Sequence, residues 1–394
     1  MIKRFLGLAL VAGIILGGCQ KDDVSNFIQD DPIAELKHGD LIPGQFIVVY
    51  KESANLKSNL GGTYEERVQG MVEFTEVIFN ETGITNDAII LAYSGTISGV
   101  AARLSNDELN QLKKDDRVAY IEQDRVVMLA KPTAPGDDTS PTQVIPWGIT
   151  RVGGGATYTG TKKAWVIDTG IDLTHPDLNV NTALSKTFVT RTTSANDDNG
   201  HGSHVAGTIG AINNNIGVVG VAAGAQVVAV KVLDRRGSGA YSGVIAGVDY
   251  VGSTAANGDV ANMSLGGPVS DALDAAVLNA ANKGIKFALA AGNESTHANN
   301  SSPARVNHAN VYTISAMSST DTWASFSNYG NPPVDYCLPG VSINSTWMKG
   351  GYNTISGTSM ASPHAAGILM WGSFKTGGFV KNDPDGNPDP IMVR

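Results

Sequence analysis

From Val144 onward, short apolar runs without alternation (KAWVIDTG, VVAVKVL, VANMSLGG, KFALAAGN and VYTISAM) are separated by Ala-rich stretches of helical spacing such as YSGVIAGVDYV and DALDAAVLNAANK. A strand that is apolar throughout is covered on both faces, whereas a half-exposed strand alternates. Strands and helices in turn therefore predict an α/β fold, a parallel β-sheet with helices on both faces. In such sheets sites gather beyond the carboxyl ends of the strands. The polar residues that close these runs, Asp168, Ser264 and Asn293, are where chemistry is to be sought. The 46 Gly and 16 Pro show no repeat period, so they read as tight turns and close backbone approaches.

A smaller unit precedes this one. FIVVY at 46–50 reads as a buried strand, 63–82 has helical spacing and TISGVAARL at 96–104 reads as a second strand. Ser105 with Glu108 three positions on is a capping-box pattern that opens a second helix, and VAYIEQD closes the unit as a strand. This order predicts a small α+β sandwich over 43–129. Residues 130–142, rich in Pro, Asp, Ser and Thr, read as a linker and processing region, so that the main domain spans 143–394.

The remaining features bound the partners. With 394 residues, 42% of them hydrophobic, the chain can build two or three proper cores. A net charge of -9 without a dense Lys/Arg tract argues against nucleic acid and leaves a polypeptide or neutral ligand. Lys3 and Arg4 followed by an apolar run from Phe5 to Leu16 form an export signal over 1–18, too short to span a bilayer. Residues 19–42 read as a flexible stalk. With two Cys, Cys19 and Cys337, no disulfide framework is evident, and Cys337 reads as a small buried strand residue.

Three segments carry the chemistry: VIDTGIDLTHPDL at 166–178, NGHGSHVAGTI at 199–209 and SGTSMASPHAAG at 356–367. A serine hydroxyl is a poor nucleophile at neutral pH and needs an adjacent base of pKa near 7, which histidine supplies. That base needs a carboxylate to fix its tautomer and stabilise its cation. Alone, Asp168 would read as a turn residue, Ser359 as a helix cap, and His201 with His204 as metal ligands lacking further donors.

Taken together and in the order Asp, His, Ser, the three segments resemble those of the subtilisin family of serine endopeptidases. The resemblance implies a subtilisin-like fold with Asp168 as orienting carboxylate, His201 as general base and Ser359 as nucleophile, and it leaves His204 and His364 as structural residues. AAGNES at 290–295 implies Asn293 as an oxyanion donor. RGSGAYS and MSLGG resemble the two edges between which substrate backbone lies, implying contacts from Gly237, Ser238, Gly239, Ser264, Leu265 and Gly266, with Ala291, Gly292 and SSPA at 301–304 around the first pocket.

The resemblance reaches further. IPGQFIVVYK and GVAARLSNDELNQLKKDDRVAYIEQD are similar to the family's inhibitory propeptide, ferredoxin-like in fold and removed autocatalytically, which makes it an intramolecular inhibitor. AINNNIGVVG at 211–220 is similar to the family's calcium loop. That similarity implies Gln143, Asp177 and Asn214 as side-chain ligands of a structural Ca²⁺, with carbonyls from Ile212, Ile216 and Val218. LGGC at 16–19 resembles a bacterial lipobox and implies lipidation of Cys19, a membrane anchor and a place at the outer membrane or cell surface, with release of the mature domain an open outcome. The acidic NDPDGNPDP tail at 382–390 reads as a solvated turn. The alternative reading is an inactive subtilisin-like fold serving as a surface binding protein, against which stands the filling of every catalytic position.

Overall fold

A computed structural model describes residues 33–53, 56, 61–129 and 142–394. The export signal, Cys19, the first part of the stalk and nearly all of the 130–142 linker lie outside the described residues.

The N-terminal unit comprises β1 (Leu41–Tyr50), α1 (Tyr64–Thr82), β2 (Ile89–Tyr93), β3 (Gly99–Arg103), α2 (Asn106–Leu112) and β4 (Val118–Met128). Its strands are ordered β4-β1-β3-β2, as a ferredoxin-like sandwich requires. Both helices begin in capping boxes, Thr63 with Glu66 and Ser105 with Glu108. Two details depart from the expectation. The five-residue β2, IILAY, carries no alternation that marks it as a separate strand. The fold also starts earlier than Pro43, because Leu41 pairs with Arg125 and Ile42 is buried.

The run FIVVY is apolar on both faces for a reason that lies outside its own unit. Phe46, Val48 and Tyr50 pack on Met71, Ile78, Phe79 and Leu112 of the unit's own helices. Ile47 and Val49 join a core that includes Val244, Val248, Ala272 and Ala276, which belong to the larger domain. The small sheet is thus a layer between its own helices and those of its neighbour.

The larger domain is built on β5 (Ala164–Asp168), α3 (His201–Gly210), β6 (Gln226–Lys231), β7 (Ser238–Ala240), α4 (Tyr241–Thr254), β8 (Val260–Met263), α5 (Asp271–Asn282), β9 (Lys286–Ala290), β10 (Val311–Met317), β11 (Val334–Pro339), α6 (Thr358–Met370), β12 (Lys375–Phe379) and β13 (Pro390–Val393). The sheet order is β12-β13-β11-β10-β9-β8-β5-β6, with short strands at 179–180 and 186–187 beyond β6. All neighbours from β6 to β13 are parallel. Only β12 runs against its neighbour.

Alternate residues of β5 enter different cores. Ala164 and Val166 face α3 and α6 through Val205, Ile209, Ala365 and Ile368. Trp165 and Ile167 face α4 and α5 through Val244, Val248, Ala276 and Ala280. Both faces being covered, the strand has no polar positions to show, which is why its sequence lacks alternation. Cys337 is fully buried in β11, where desolvation pushes its thiol far above the usual range.

The acidic tail forms the connection between β12 and β13, and it is more than a solvated turn. Asp389 is buried, accepts from Ser315 Oγ at 2.6 Å and from Asn331 Nδ2 at 2.9 Å, and burial raises its pKa to about 6. The hairpin it closes extends the sheet beyond β11, a feature that periodicity did not reveal.

Candidate active site

Asp168 is the last residue of β5 and His201 the first of α3, so the end of a strand meets the start of a helix. The approach is close: a Cβ on Gly202 would fall 2.0 Å from Gly170 O, so only glycine fits there. His201 Nδ1 lies 2.8 Å from Asp168 Oδ1 and 3.0 Å from Oδ2. Asp168 is fully buried and His201 is 4% exposed. Because a carboxylate only accepts, Nδ1 carries the hydrogen and Nε2 is left as the acceptor. Burial by itself depresses the imidazole's pKa, but the charge and hydrogen bond of Asp168, with the charge of Asp197, outweigh it and the net shift is upward.

Two buried groups that the sequence reading did not single out hold this pair. Asp197 accepts from Thr169 Oγ1 at 2.9 Å, from the N–H groups of Asn199, Gly200 and Ser203 and from Ser203 Oγ, fixing the entry to α3. Asp197 lies three residues before the Gly200 cap, and its bond to Asn199 N two positions on is an Asx turn, the one local signal the sequence offers for it. Lys231, only 1% exposed, donates to Thr169 O, Asp198 Oδ1 and Leu233 O at 2.6, 2.6 and 3.0 Å. Its ammonium ties the residue after Asp168 to the loop before His201.

Ser359 arrives from the other end of the chain at the second position of α6. β8 lies beside β5 with Asn262 opposite Val166, so two residues further Ser264 and Asp168 leave adjacent strands side by side. Ser359 Oγ donates to Ser264 O at 3.0 Å, and Ser264 Oγ donates to Ser359 O at 2.7 Å. No hydrogen bond joins Ser359 to His201 among the described residues; the hydroxyl is turned to Ser264.

Asn293 follows β9 after Gly292, whose φ of 109° favours glycine. Its Oδ1 accepts from Thr358 N at 2.9 Å and from Thr358 Oγ1 at 3.1 Å, which leaves the amide N–H groups as its free donors. Ser264, Leu265, Gly266, Ala291, Gly292, Asn293, Ser301, Ala304 and Ser359 line one cleft of about 670 Å³. His204 and His364, in contrast, are buried away from it. Desolvation lowers them to about 3 and about 4, and each is bonded to a main-chain carbonyl.

The other wall is already engaged. β4 of the N-terminal unit pairs antiparallel with β7, Met128 opposite Ser238 and Val127 opposite Gly239, and Leu129 N donates to Gly237 O at 2.9 Å. Met128 and Leu129 line the cleft with Ser359. No main-chain hydrogen bond joins this strand to Ser264, Leu265 or Gly266 among the described residues, so it uses one of the two anticipated edges. The same strand caps two helices of the larger domain. Asp124 Oδ1 accepts from Ser242 N at 3.1 Å in α4, which has no side-chain cap of its own, and Glu122 Oε2 accepts from Ala272 N at 3.1 Å in α5. In return, Asp249 accepts from the N–H groups of Ser94, Gly95 and Thr96 in the turn after β2.

The six residues anticipated around a cation come together. Gln143 Nε2 lies 2.8 Å from Ile212 O, 3.2 Å from Val218 O, 3.3 Å from Asn214 Oδ1 and 3.5 Å from Ile216 O. Asp177 accepts from Asn214 Nδ2 at 2.8 Å and from Val218 N at 3.1 Å. Among the described residues no group of three or more His, Cys, Asp or Glu could hold a metal, and this donor set is instead mainly amide and carbonyl oxygen.

An imidazole fixed by a buried carboxylate, in a chain that also sets a serine at a helix start in a cleft, fits the catalytic apparatus of a serine hydrolase. Residues 164–371 match the subtilase family, peptidase S8, and residues 45–130 match peptidase inhibitor I9. The extracellular serine proteinase of Thermus sp. (strain Rt41A) is 39% identical over 385 residues, covering 93% of this chain and 90% of the relative. Subtilisin E of Bacillus subtilis (strain 168) is 43% identical over 281 residues, covering 69% of each. A solved cold adapted subtilisin-like serine proteinase superposes with a TM-score of 0.54 at 38% identity, covering 63% of this chain and 97% of that one. The chain belongs to the subtilase family and carries an inhibitor I9 propeptide ahead of its peptidase domain.

Proposed function

We propose that Asp168, His201 and Ser359 work as one catalytic unit in a serine endopeptidase that hydrolyses polypeptides through an acyl-enzyme. The Asp168–His201 hydrogen bond, which fixes Nε2 as the free base, is the observation that carries the reading. In this reading Ser359 Oγ gives up its hydrogen bond to Ser264 O and turns to Nε2 when substrate binds. As Oγ bonds to the substrate carbonyl carbon, its proton passes to Nε2, and the imidazolium then returns that proton to the leaving amine. Water repeats the cycle on the acyl-enzyme. The oxyanion receives hydrogen bonds from Asn293 Nδ2 and from the N–H of Ser359, which sits in the first turn of α6 and has no intrahelical acceptor.

The strand 126–129, paired to β7 in the cleft, supports an intramolecular inhibitor and a cut within 130–142 made by the chain itself. Purified precursor and its Ser359→Ala form provide the test. Cleavage in that window is expected only with Ser359 present, and cleavage of both forms would sink the reading. An inactive binding protein is disfavoured by the same geometry, since no member of the constellation is replaced.

The Gln143 cluster fits a hard cation. An NH₂ group has two hydrogens and cannot satisfy four oxygens, whereas the amide turned over adds Oε1 to the same oxygen set. When bound, Ca²⁺ would be held by Gln143, Asp177, Asn214 and the carbonyls of Ile212, Ile216 and Val218, cross-linking the domain's N-terminus to the loop after α3. Export is supported by the signal at 1–18 and by the relative named as an extracellular proteinase. A lipid on Cys19 would tether the precursor to a membrane, and no helix of the described residues is long and apolar enough to cross one. The domain limits 1–18, 130–142 and 143–394 follow from the same reading, while the stalk expected over 19–42 gives way before Leu41 to residues bonded to β4, so the unit expected over 43–129 starts earlier.

A further inference from the structure

We infer that Leu36–Asp40, upstream of the residues that match the inhibitor family, is a second inhibitory element: a strap that seats His38 in the substrate cleft and clamps the propeptide's last strand. The inference rests on the reading of 126–129 as the inhibitory strand.

The strap runs along the edge of β4 that faces away from β7. Asp40 O accepts from Val126 N at 2.9 Å, Gly39 N donates to Val126 O at 2.8 Å, and Arg125 Nη1 donates to Gly39 O at 3.0 Å. One step further, where a continuing strand would offer a carbonyl, His38 Nδ1 accepts from Met128 N at 3.0 Å. The imidazole thus satisfies a main-chain donor that an extended substrate would turn toward Ser264–Gly266. This is why β4 is bonded to one wall of the cleft and not to the other.

Local geometry builds the strap for that position. Asp40 N donates to Lys37 O at 3.1 Å and Lys37 N donates to Asp40 Oδ2 at 2.8 Å, closing a turn around Gly39, whose φ is 84°. A Cβ on Gly39 would meet Pro268 Cγ at 3.0 Å, and one on Gly267 would fall 2.9 Å from His38 Cε1. Glycine on both sides lets the strap lie directly on the peptidase wall. His38 shares the lining of the cleft with Ser264, Asn293 and Ser359. A substrate strand entering between the two edges must displace it.

Two measurements on the full chain test this. In the uncut Ser359→Ala precursor, hydrogen exchange at the Met128 amide is expected to quicken about five-fold in His38→Ala, the effect of one lost hydrogen bond. His38→Asn, which offers Oδ1 in place of Nδ1, is expected to restore protection. Unchanged exchange in His38→Ala overturns the strap. In the active chain, His38→Ala is expected to shorten the lag before activity on a chromogenic peptide appears, also about five-fold, with the final activity unchanged. An unaltered lag overturns the strap too, whereas a chain with no Ser359-dependent activity at any time overturns the peptidase reading beneath it.

Discussion

Asp168 and His201 stand 33 positions apart in the chain and 2.8 Å apart in space, with Oδ1 facing Nδ1 and the carboxylate sealed from solvent. The imidazole's pKa is raised in spite of its burial because that carboxylate, with Asp197 behind it, favours the cation. A base must be neutral to act, so activity is present above the raised pKa and lost as pH falls through it. The acid limb of kcat/KM is therefore expected above about pH 6.5, the ordinary histidine value. Asp168→Asn, matured in trans by wild-type enzyme, is expected to move that limb to lower pH and to cut kcat about 10⁴-fold. A limb that does not move with the substitution would show that the pairing does not set the base.

The Asn293 amide hydrogens meet charge only when the oxyanion forms. Asn293→Leu is expected to lower kcat about 10²- to 10³-fold with little change in KM. A rise in KM at constant kcat, measured on a peptide substrate, would make Asn293 a ground-state contact instead.

Asp124 and Glu122 each cap a helix across the domain boundary. Losing one cap costs about 1 kcal/mol. In the Ser359→Ala precursor, Asp124→Ala is therefore expected to lower Tm by about 2 °C or more. Because the two carboxylates serve different helices, the effect of Glu122→Ala should add to it within about 0.5 kcal/mol. Calorimetry of the two single variants and the double variant decides the matter. No loss in either would mean that the caps are replaced by water.

A cation at the Gln143 cluster binds only the folded state. At a hundred times its Kd it would add about 2.7 kcal/mol. That corresponds to a Tm about 5–10 °C higher for a domain of this size. A chelator is expected to remove that increment from the wild type and almost none of it from Asp177→Ala. Equal responses of the two proteins would place the ion elsewhere.

Much of this could be read locally. The capping box at Ser105 and the two-sided apolar runs announce themselves within a few positions, whereas the residues at 168, 201, 293 and 359 are legible only when their segments are taken together. The roles of Asp124, Glu122 and Asp249 do not, since their partners lie 118, 150 and 153 to 155 positions away. On a strand or helix viewed alone, each is one more charge on a solvated face. Residues 36–40 likewise read as stalk because their hydrogen bonds go to a strand some ninety residues on.

The sequence by itself determined which chemistry this chain can perform and most of its strands and helices, β2 and the C-terminal hairpin excepted, because periodicity, caps and the Asp, His and Ser motifs are local properties of the polymer. Tertiary structure alone decided that β4 lies in the cleft, that its carboxylates close the neighbouring helices, and that Ser359 Oγ is turned to Ser264 rather than to His201. Those outcomes depend on which edges and helix ends remain unpaired once both domains have packed, and that is a property of the assembled surface.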